Sequence, residues 1–305
     1  MNHWEDVNQT IWIETPAEFN FRVNLDYLER ETNECLHDIT DDTITRVIET
    51  KHKRTLISVS APNANSLRVM ILAHTNSQIP IDKRSIIHYI REWFDLDNNL
   101  IPFYEMGRQD PLLKHPIEKF YGLRNIGLPN LFEALCWGIL GQQINLTYAY
   151  TLKRQFVEKF GESLEYHHQK YWIFPSFEKV ASLTTKDMAD IKMTTRKSEY
   201  IIGIAKLMKN KELTKEKLLT INDFKEAEKT LVNIRGIGPW TANYVLMRCL
   251  RYPTAFPIDD VGLISAIKLQ MGLDRKPTKE EILNLSTNWK NWESYATFHL
   301  WRLLY

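Results

Sequence analysis

The spacing of apolar residues changes once along the chain, near residue 110, and this change constrains the fold more than any single motif. Up to about residue 80, β-branched and alternating stretches occupy residues 12–23, 45–61 and 66–75, with the turn formers "PNAN" before the last of them. This pattern is typical of an antiparallel sheet. Further on, apolar residues recur at intervals of three and four, which predicts helices. The sequence therefore predicts an α+β fold, with an N-terminal α+β unit over residues 1–108 and an all-α domain over residues 109–305.

Local signals indicate where individual helices begin and end. Asp82 precedes a helix-like stretch that closes the N-terminal unit, and it is a suitable N-cap. Gly161 ends the apolar-periodic segment 130–161 and is placed as a C-cap. Further helices are predicted over residues 176–183, 185–193, 197–210, 223–234, 261–272 and 291–305.

Composition excludes several classes of protein. With 305 residues, 44% hydrophobic and 25% charged, the chain is a globular protein rather than a disordered one. The start of the chain shows no secretory signal, and no apolar run approaches the length of a membrane span. The three cysteines, Cys35, Cys136 and Cys249, are too few and too far apart for a zinc or iron–sulfur site. We expect buried thiols in a reducing cytoplasm.

The net charge of +1 gives no overall attraction to nucleic acid, but the charge is unevenly distributed. Residues 29–50 carry seven acidic side chains and two arginines, whereas residues 191–218 carry eight Lys or Arg and three Glu. A basic band of this kind can bind phosphates locally. It can equally be a solvated helix face.

A pair of glycines, Gly236 and Gly238, flanks Ile237 directly before a predicted helix, in "IRGIGPWTANYV". Glycine tolerates positive φ and lets the backbone approach another molecule closely. Amides at a helix N-terminus lack partners and lie at the positive end of the helix dipole, which suits a phosphate oxygen. The pattern predicts a hairpin that contacts the DNA backbone, with Ile237 anchored in the core; a plain helix corner is the alternative.

Two adjacent carboxylates, Asp259 and Asp260, follow the hairpin in "FPIDDVGL". Either can simply be the N-cap of the next helix. However, Trp240 and Tyr244 are one turn apart and share a helix face, and the C-terminal end adds Trp301. A carboxylate beside an aromatic surface indicates a pocket for a planar, cationic ligand. Trp289, by contrast, is predicted to be a core residue.

Four stretches together resemble one family: "ALCWGILGQQINLTYAYTL", "IRGIGPWTANYVLMRCL", "FPIDDVGL" and "WKNWESYATFHLW". Their order and spacing between residues 131 and 301 are similar to those of the helix-hairpin-helix DNA glycosylases, and within them of 3-methyladenine DNA glycosylase II. The resemblance implies a TBP-like N-terminal sheet domain followed by two helical subdomains around a cleft.

The resemblance also implies roles for individual residues. In this superfamily an aspartate shortly before a helix is essential, and it is followed by a variable residue, a small or polar residue and an aliphatic one. "Asp260-Val261-Gly262-Leu263" fits this pattern, so Asp260 is the catalytic candidate and Asp259 its helix-capping neighbour; because the aspartate is doubled, the reverse assignment is the alternative. Trp240 stands where bifunctional members carry a lysine, so no lyase activity is expected. The remaining assignments are a base pocket of Trp240, Tyr244 and Trp301; contacts to the DNA backbone from Gly236, Ile237, Gly238 and Thr241; an alkali cation held by the carbonyls of Val232, Ile234 and Gly236; and Gln143 as the wedge that fills the gap left by a flipped nucleotide.

The function implied is that of a monofunctional DNA glycosylase that flips and excises alkylated purines, 3-methyladenine and 7-methylguanine, in base excision repair. It needs no cofactor for catalysis, acts on double-stranded DNA with a damaged base as a monomer, and in a bacterium is cytoplasmic and nucleoid-associated. Two alternatives remain open. The same fold can release an oxidised or mismatched base, or it can bind damaged DNA without catalysis, in which case Asp260 is only a cap.

Overall fold

A computed structural model describes residues 4–50, 53–75 and 80–305. The N-terminal part contains an antiparallel sheet in the order β1-β5-β4-β3-β2. Its strands are β1 (Trp4–Glu14), β2 (Asp38–Thr40), β3 (Thr43–Thr50), β4 (Lys53–Asn63) and β5 (Ser66–Thr75). In β5 alternate side chains are buried, and Val69 is paired with Ile11 on one side and Val59 on the other. The antiparallel sheet predicted from the alternation is therefore confirmed.

Two helices complete this part of the chain, α1 (Phe21–Leu28) and α2 (Lys83–Trp93). Asp82 caps α2 as predicted, because its carboxylate accepts from the amide of Ser85 at 3.1 Å. The β-like pattern of residues 12–23 is interrupted, since the strand ends at Glu14. The side chain of Asn20 then accepts from the amide of Val23 and starts α1. A local cap overrides the strand pattern there.

The second part of the chain is mostly helical. Its helices are α3 (Ile101–Gln109), α4 (Lys114–Lys119), α5 (Leu131–Leu140), α6 (Leu146–Phe160), α7 (Phe177–Ala181), α8 (Thr195–Lys209), α9 (Lys215–Leu219), α10 (Phe224–Val232), α11 (Pro239–Arg248), α12 (Val261–Met271), α13 (Lys279–Leu285) and α14 (Glu293–Trp301). Gly161 is the C-cap of α6, as predicted. A side chain there would collide with the carbonyl oxygen of Ile173, 2.4 Å from an added Cβ. Within the described ranges, no helix has both the length and the apolar character needed to cross a bilayer.

A β-hairpin, β6 (Glu162–Tyr166) and β7 (Gln169–Ile173), interrupts the helical part, and the sequence analysis does not predict it. Its apolar residues Leu164 and Ile173 pack with Val47, Leu56 and Ala73 of the N-terminal sheet. The hairpin is therefore an attachment between the two parts of the chain.

Two large apolar cores fill the molecule. The larger extends from the N-terminal sheet through α5, α8 and α11. The smaller is formed by α3, α4, α12 and α14 and contains Trp289, which is fully buried and donates from Nε1 to Asp110 Oδ2 at 2.9 Å. The prediction that Trp289 is a core residue is confirmed. Since α11 belongs to the first core and α12 to the second, the segment between these helices lies where the cores meet.

A buried ion network also connects the two parts of the chain. Glu133 of α5, which is 1% exposed, accepts from Arg46 Nη2 of β3 at 2.8 Å and from Lys153 Nζ of α6 at 3.3 Å. Lys153 Nζ also lies 2.8 Å from Glu34 Oε2, and this partner holds the pKa of Lys153 above its ordinary value against the effect of burial. The three thiols are unpaired; Cys136 and Cys249 are buried as expected, whereas Cys35 is partly exposed.

Candidate active site

The turn between α10 and α11 contains the two glycines, and they differ in what requires them. Gly236 has a φ of +98°, and an added Cβ would lie 2.3 Å from Tyr200 Cγ. Both the backbone conformation and the packing therefore demand glycine at this position. Gly238 has a φ of −89°, and an added Cβ would meet no atom within 4 Å. No contact inside the protein requires glycine at position 238. Because no atom lies near an added Cβ, the space in front of α11 is open.

The first turn of α11 presents backbone amides beside that open space. Its first intrahelical hydrogen bond runs from the amide of Ala242 to Gly238 O at 2.9 Å, so the amides of Trp240 and Thr241 precede it. Ile237 is 4% exposed and donates to Ile234 O at 3.0 Å, which anchors the turn in the core. A turn of this kind is a suitable site for an anion.

The side chain of Thr241 does not face this surface. It is 2% exposed, its Oγ1 lies 3.4 Å from Gln142 Nε2, and an added Cβ at Gly138 would lie 2.6 Å from its methyl group. The threonine therefore packs against α5, and only its backbone amide is available for the phosphate contact predicted for it.

The carboxylate of Asp260 accepts three hydrogen bonds. Oδ1 accepts from Trp301 Nε1 at 2.7 Å and from the amide of Leu263 at 2.7 Å, and Oδ2 accepts from Trp240 Nε1 at 2.8 Å. Two ionised carboxylate oxygens offer about four acceptor positions. One acceptor position on Oδ2 therefore stays open, and the residue is partly exposed.

Asp260, not Asp259, is the N-cap of α12, which corrects the capping role given to Asp259 by the sequence analysis. Asp259 is exposed, and its carboxylate lies 3.0 Å from Lys279 Nζ. The physical reason is the bond to the amide of Leu263, which lies three residues after Asp260, the usual N-cap spacing. One carboxylate thus caps the helix and contacts both indoles.

The three predicted pocket aromatics are brought together around Asp260. The rings of Trp240 and Tyr244 stack with centroids 5.4 Å apart and planes at 23°, and Trp301 lies 6.4 Å from Tyr244. Gly262 makes this approach possible, because an added Cβ would lie 2.9 Å from Asp260 Oδ1 and 3.2 Å from Trp301 Nε1. The small residue in the Asp-x-small-aliphatic pattern therefore has a steric cause.

Gln143 lies in the loop between α5 and α6. It is exposed and has a φ of +58°, a conformation that non-glycine residues rarely adopt and that concentrates at functional sites. The preceding side chain holds this loop to the glycine turn, since Gln142 Nε2 donates to Gly236 O at 2.9 Å. The loop and the hairpin are therefore fixed relative to each other.

The carbonyls assigned to an alkali cation come from this same turn. Ile234 O accepts from the amide of Ile237, and Gly236 O accepts from Gln142. A carbonyl has two lone pairs, so both can also ligate an ion, and neutral oxygens suit a hard cation. Neutral carbonyl oxygens, as at Val232, Ile234 and Gly236, are a ligand type that a hard cation binds, and the alkali-cation site stays a prediction. Within the described residues, no cluster of three or more His, Cys, Asp or Glu side chains could hold a metal.

Residues that the sequence analysis missed surround Tyr244, namely Arg248 of α11 and, from the N-terminal part, Tyr27 and Arg30. Arg248 Nη1 donates to the hydroxyl of Tyr244 at 3.2 Å and to that of Tyr27 at 3.0 Å. Arg30 lies 3.7 Å above the ring of Tyr27 and donates to the hydroxyl of Tyr150 at 2.8 Å. The N-terminal part therefore contributes two side chains, Tyr27 and Arg30, to the surroundings of Tyr244. The sequence feature that could have indicated Arg30 is its positive charge within the acidic segment 29–50.

Comparison with known proteins identifies the family of the chain. The family described as "HhH-GPD superfamily base excision DNA repair protein" matches residues 136–292, and "8-oxoguanine DNA glycosylase, N-terminal domain" matches residues 11–135. The DNA-3-methyladenine glycosylase of Bacillus subtilis (strain 168) is 59% identical over 305 residues, 99% of each chain.

Solved structures share the whole fold. The 3-methyladenine DNA-glycosylase from Archaeoglobus fulgidus has a TM-score of 0.79 at 21% identity, covering 96% of this chain and 97% of that chain. A Clostridium acetobutylicum 8-oxoguanine glycosylase/lyase, in complex with dsDNA containing cytosine opposite 8-oxoG, has a TM-score of 0.75 at 18% identity, covering 99% and 97%. Together with the family matches, the fold is thus that of the helix-hairpin-helix DNA repair glycosylases.

The chain belongs to the HhH-GPD superfamily of base excision DNA repair proteins, and within it to the family of the Bacillus subtilis DNA-3-methyladenine glycosylase. The resemblance found in the sequence is thereby confirmed. So is the architecture of an N-terminal antiparallel sheet followed by a helical domain.

Proposed function

We propose that this protein is a monofunctional DNA glycosylase that excises alkylated purines, 3-methyladenine and 7-methylguanine, by hydrolysing the N-glycosidic bond. The observation that carries the proposal is the carboxylate of Asp260, held between the indole N–H groups of Trp240 and Trp301 with one acceptor position open on Oδ2. The 59% identity to a DNA-3-methyladenine glycosylase supports the substrate class.

The partner in this proposal is double-stranded DNA containing a damaged base, bound by one copy of the protein. Extracting a nucleotide from the stack costs a few kcal/mol, which contacts to the backbone must offset. The open surface at Gly238 and the amides of Trp240 and Thr241 would hold a phosphate, and Gln143 would fill the vacated position by hydrogen bonding. A cation at the carbonyls of Val232, Ile234 and Gly236 would add positive charge beside that phosphate.

Alkylation at N3 of adenine or N7 of guanine makes the purine cationic and therefore a good leaving group. The bond can then break without an acid that protonates the base. The sugar develops oxocarbenium character, and a fixed carboxylate beside C1′ stabilises that charge. The open position on Asp260 Oδ2 can accept from the attacking water, while both indole donors keep the carboxylate in place.

Lyase activity requires an amine that forms a Schiff base with the sugar. By the family resemblance, Trp240 stands where such an amine would be, and its indole N–H donates to Asp260. The nearby Lys279 is paired with the neighbouring Asp259. We therefore propose base release without strand cleavage.

To test this proposal, methylated duplex DNA is incubated with the purified protein and the released bases are identified. The DNA is also examined for nicks before alkali is added. We expect free 3-methyladenine and 7-methylguanine, with nicks only after alkali. Prompt nicking would contradict the absence of lyase activity. Release from oxidised or mismatched DNA alone would contradict the substrate class.

Gly262→Ala is expected to lower the rate of base release by roughly 10- to 100-fold, because the added methyl group displaces Trp301 or Asp260. Alanine is the better helix former, which offsets part of any loss of capping by a displaced Asp260 in α12. Gly203→Ala is the matched control: Gly203 lies in α8, and an added Cβ meets no atom within 4 Å. Equal activities of the two variants in a single-turnover assay would show that the close approach at Gly262 has no catalytic role.

A further inference from the structure

A small cavity lies beside Tyr244, next to the aromatic cluster. Its volume is about 40 Å³, and its lining includes Arg30, Trp137, Tyr150 and Arg248. A cavity of roughly 10–15 Å³ is enough to hold one buried water. The cavity can therefore hold a few waters or one exocyclic group of a base, but not a purine ring.

The lining of this cavity has a surplus of positive charge. It contains four cationic side chains and two carboxylates, namely Arg30, Arg46, Lys153 and Arg248 with Glu34 and Glu133. Both carboxylates already form ion pairs. Glu34 pairs with Lys153, and Glu133 pairs with Lys153 and Arg46. Within the described part of the chain, Arg30 and Arg248 have no carboxylate within ion-pair distance.

Arg30 has an unused donor. Nη2 donates to Tyr150 and Nη1 to the carbonyl of Tyr27, whereas the buried Nε–H has no acceptor within the described residues. An unsatisfied buried donor is uncommon in folded proteins because it is costly. A missing acceptor is the simplest account of this arrangement.

Tyr305 packs beside Arg30. Its ring centroid lies 5.5 Å from the Arg30 guanidinium. Tyr244, which lines the cavity, stacks on Trp240 with ring centroids 5.4 Å apart, and Trp240 Nε1 donates to Asp260 Oδ2 at 2.8 Å. A base that packs against Tyr244 beside Asp260 would therefore lie next to the cavity.

We infer that Arg30 is a specificity-determining residue whose guanidinium donates to the exocyclic carbonyl oxygen of a 6-oxopurine entering this cavity. 7-Methylguanine carries that oxygen. 3-Methyladenine carries an amino group at the same position, which would place a hydrogen-bond donor against the N–H donors of Arg30. The inference rests on the proposed function, and it assigns a recognition role to the N-terminal part of the chain.

The test measures both bases released from one sample of methylated DNA, using single-turnover rates. Arg30→Met keeps much of the stem and removes the donors. We expect it to reduce release of 7-methylguanine about 10- to 100-fold relative to 3-methyladenine, as for loss of a hydrogen bond from a charged donor. Tyr150→Phe, which removes the acceptor that orients Arg30, should shift the ratio in the same direction by less.

The ratio separates recognition from folding, because a loss of folded protein lowers both rates equally. Arg154→Met is the matched control: Arg154 also joins α6 to the N-terminal part, through the carbonyls of Asn33 and Glu34, but it is not in the cavity lining. An unchanged ratio in Arg30→Met, or an equal loss of both bases, would overturn the inference. If the unaltered protein releases neither base, the proposed function itself fails.

Discussion

Asp260→Asn is expected to abolish measurable release of methylated purines, with a loss in single-turnover rate on the order of 10³-fold or more. The substitution removes the negative charge that would stabilise the oxocarbenium-like sugar. It also places an amide donor where the carboxylate now accepts from Trp240 and Trp301, so one indole must lose its partner. Asparagine is as good an N-cap as aspartate, so α12 should remain capped. The thermal unfolding midpoint should therefore change little.

Asp259→Asn is the matched control for this experiment. Asp259 is exposed and paired with Lys279, so its loss should leave the rate within about 2-fold, since exposed ion pairs contribute little. Binding of Asp260→Asn to DNA containing an abasic-site analogue should be retained. An inactive Asp259 variant beside an active Asp260 variant would refute the catalytic assignment. If neither variant alters any reaction product, a role in DNA binding without catalysis is favoured.

Glu133→Gln is expected to destabilise the protein by about 3–5 kcal/mol, the usual effect of removing one partner from a buried ion pair. Glu133 is 1% exposed and accepts from Arg46 and Lys153, both nearly buried. The glutamine keeps the volume but leaves two cations with less compensation. Since Arg46 belongs to β3 and Glu133 to α5, the attachment between the two parts of the chain should weaken. Urea unfolding followed by circular dichroism measures the free energy of unfolding.

Glu199→Gln is the control for the ion-network prediction. Its carboxylate lies 2.7 Å from Arg235 Nη2, but the two side chains are 40% and 76% exposed. Loss of this pair should change the free energy of unfolding by less than about 1 kcal/mol. A similarly small effect for Glu133→Gln would mean that the buried network adds little to the attachment.

Local features of this chain were predictable because they depend on residues close in sequence. Asp82 caps α2 through an amide three residues later, and Gly161 ends α6. The stacking of Trp240 on Tyr244 follows from their separation by one helical turn. The positive φ of Gly236 is a local property of the turn in which this residue lies. The family resemblance, which rests on four short stretches of sequence, also predicted the roles of Asp260 and Trp301.

The sequence alone thus determined the class of fold and the glycine hairpin, and with the family resemblance it predicted which aspartate and aromatic side chains form the candidate site. Only the tertiary structure decided that Asp260 both caps α12 and contacts the indole of Trp301, 41 residues further along the chain. It alone brought Arg30 within contact of Tyr150 and turned the side chain of Thr241 toward α5. The physical reason is that caps and turns form within a few residues, whereas the partners of a buried donor or acceptor depend on how distant segments pack.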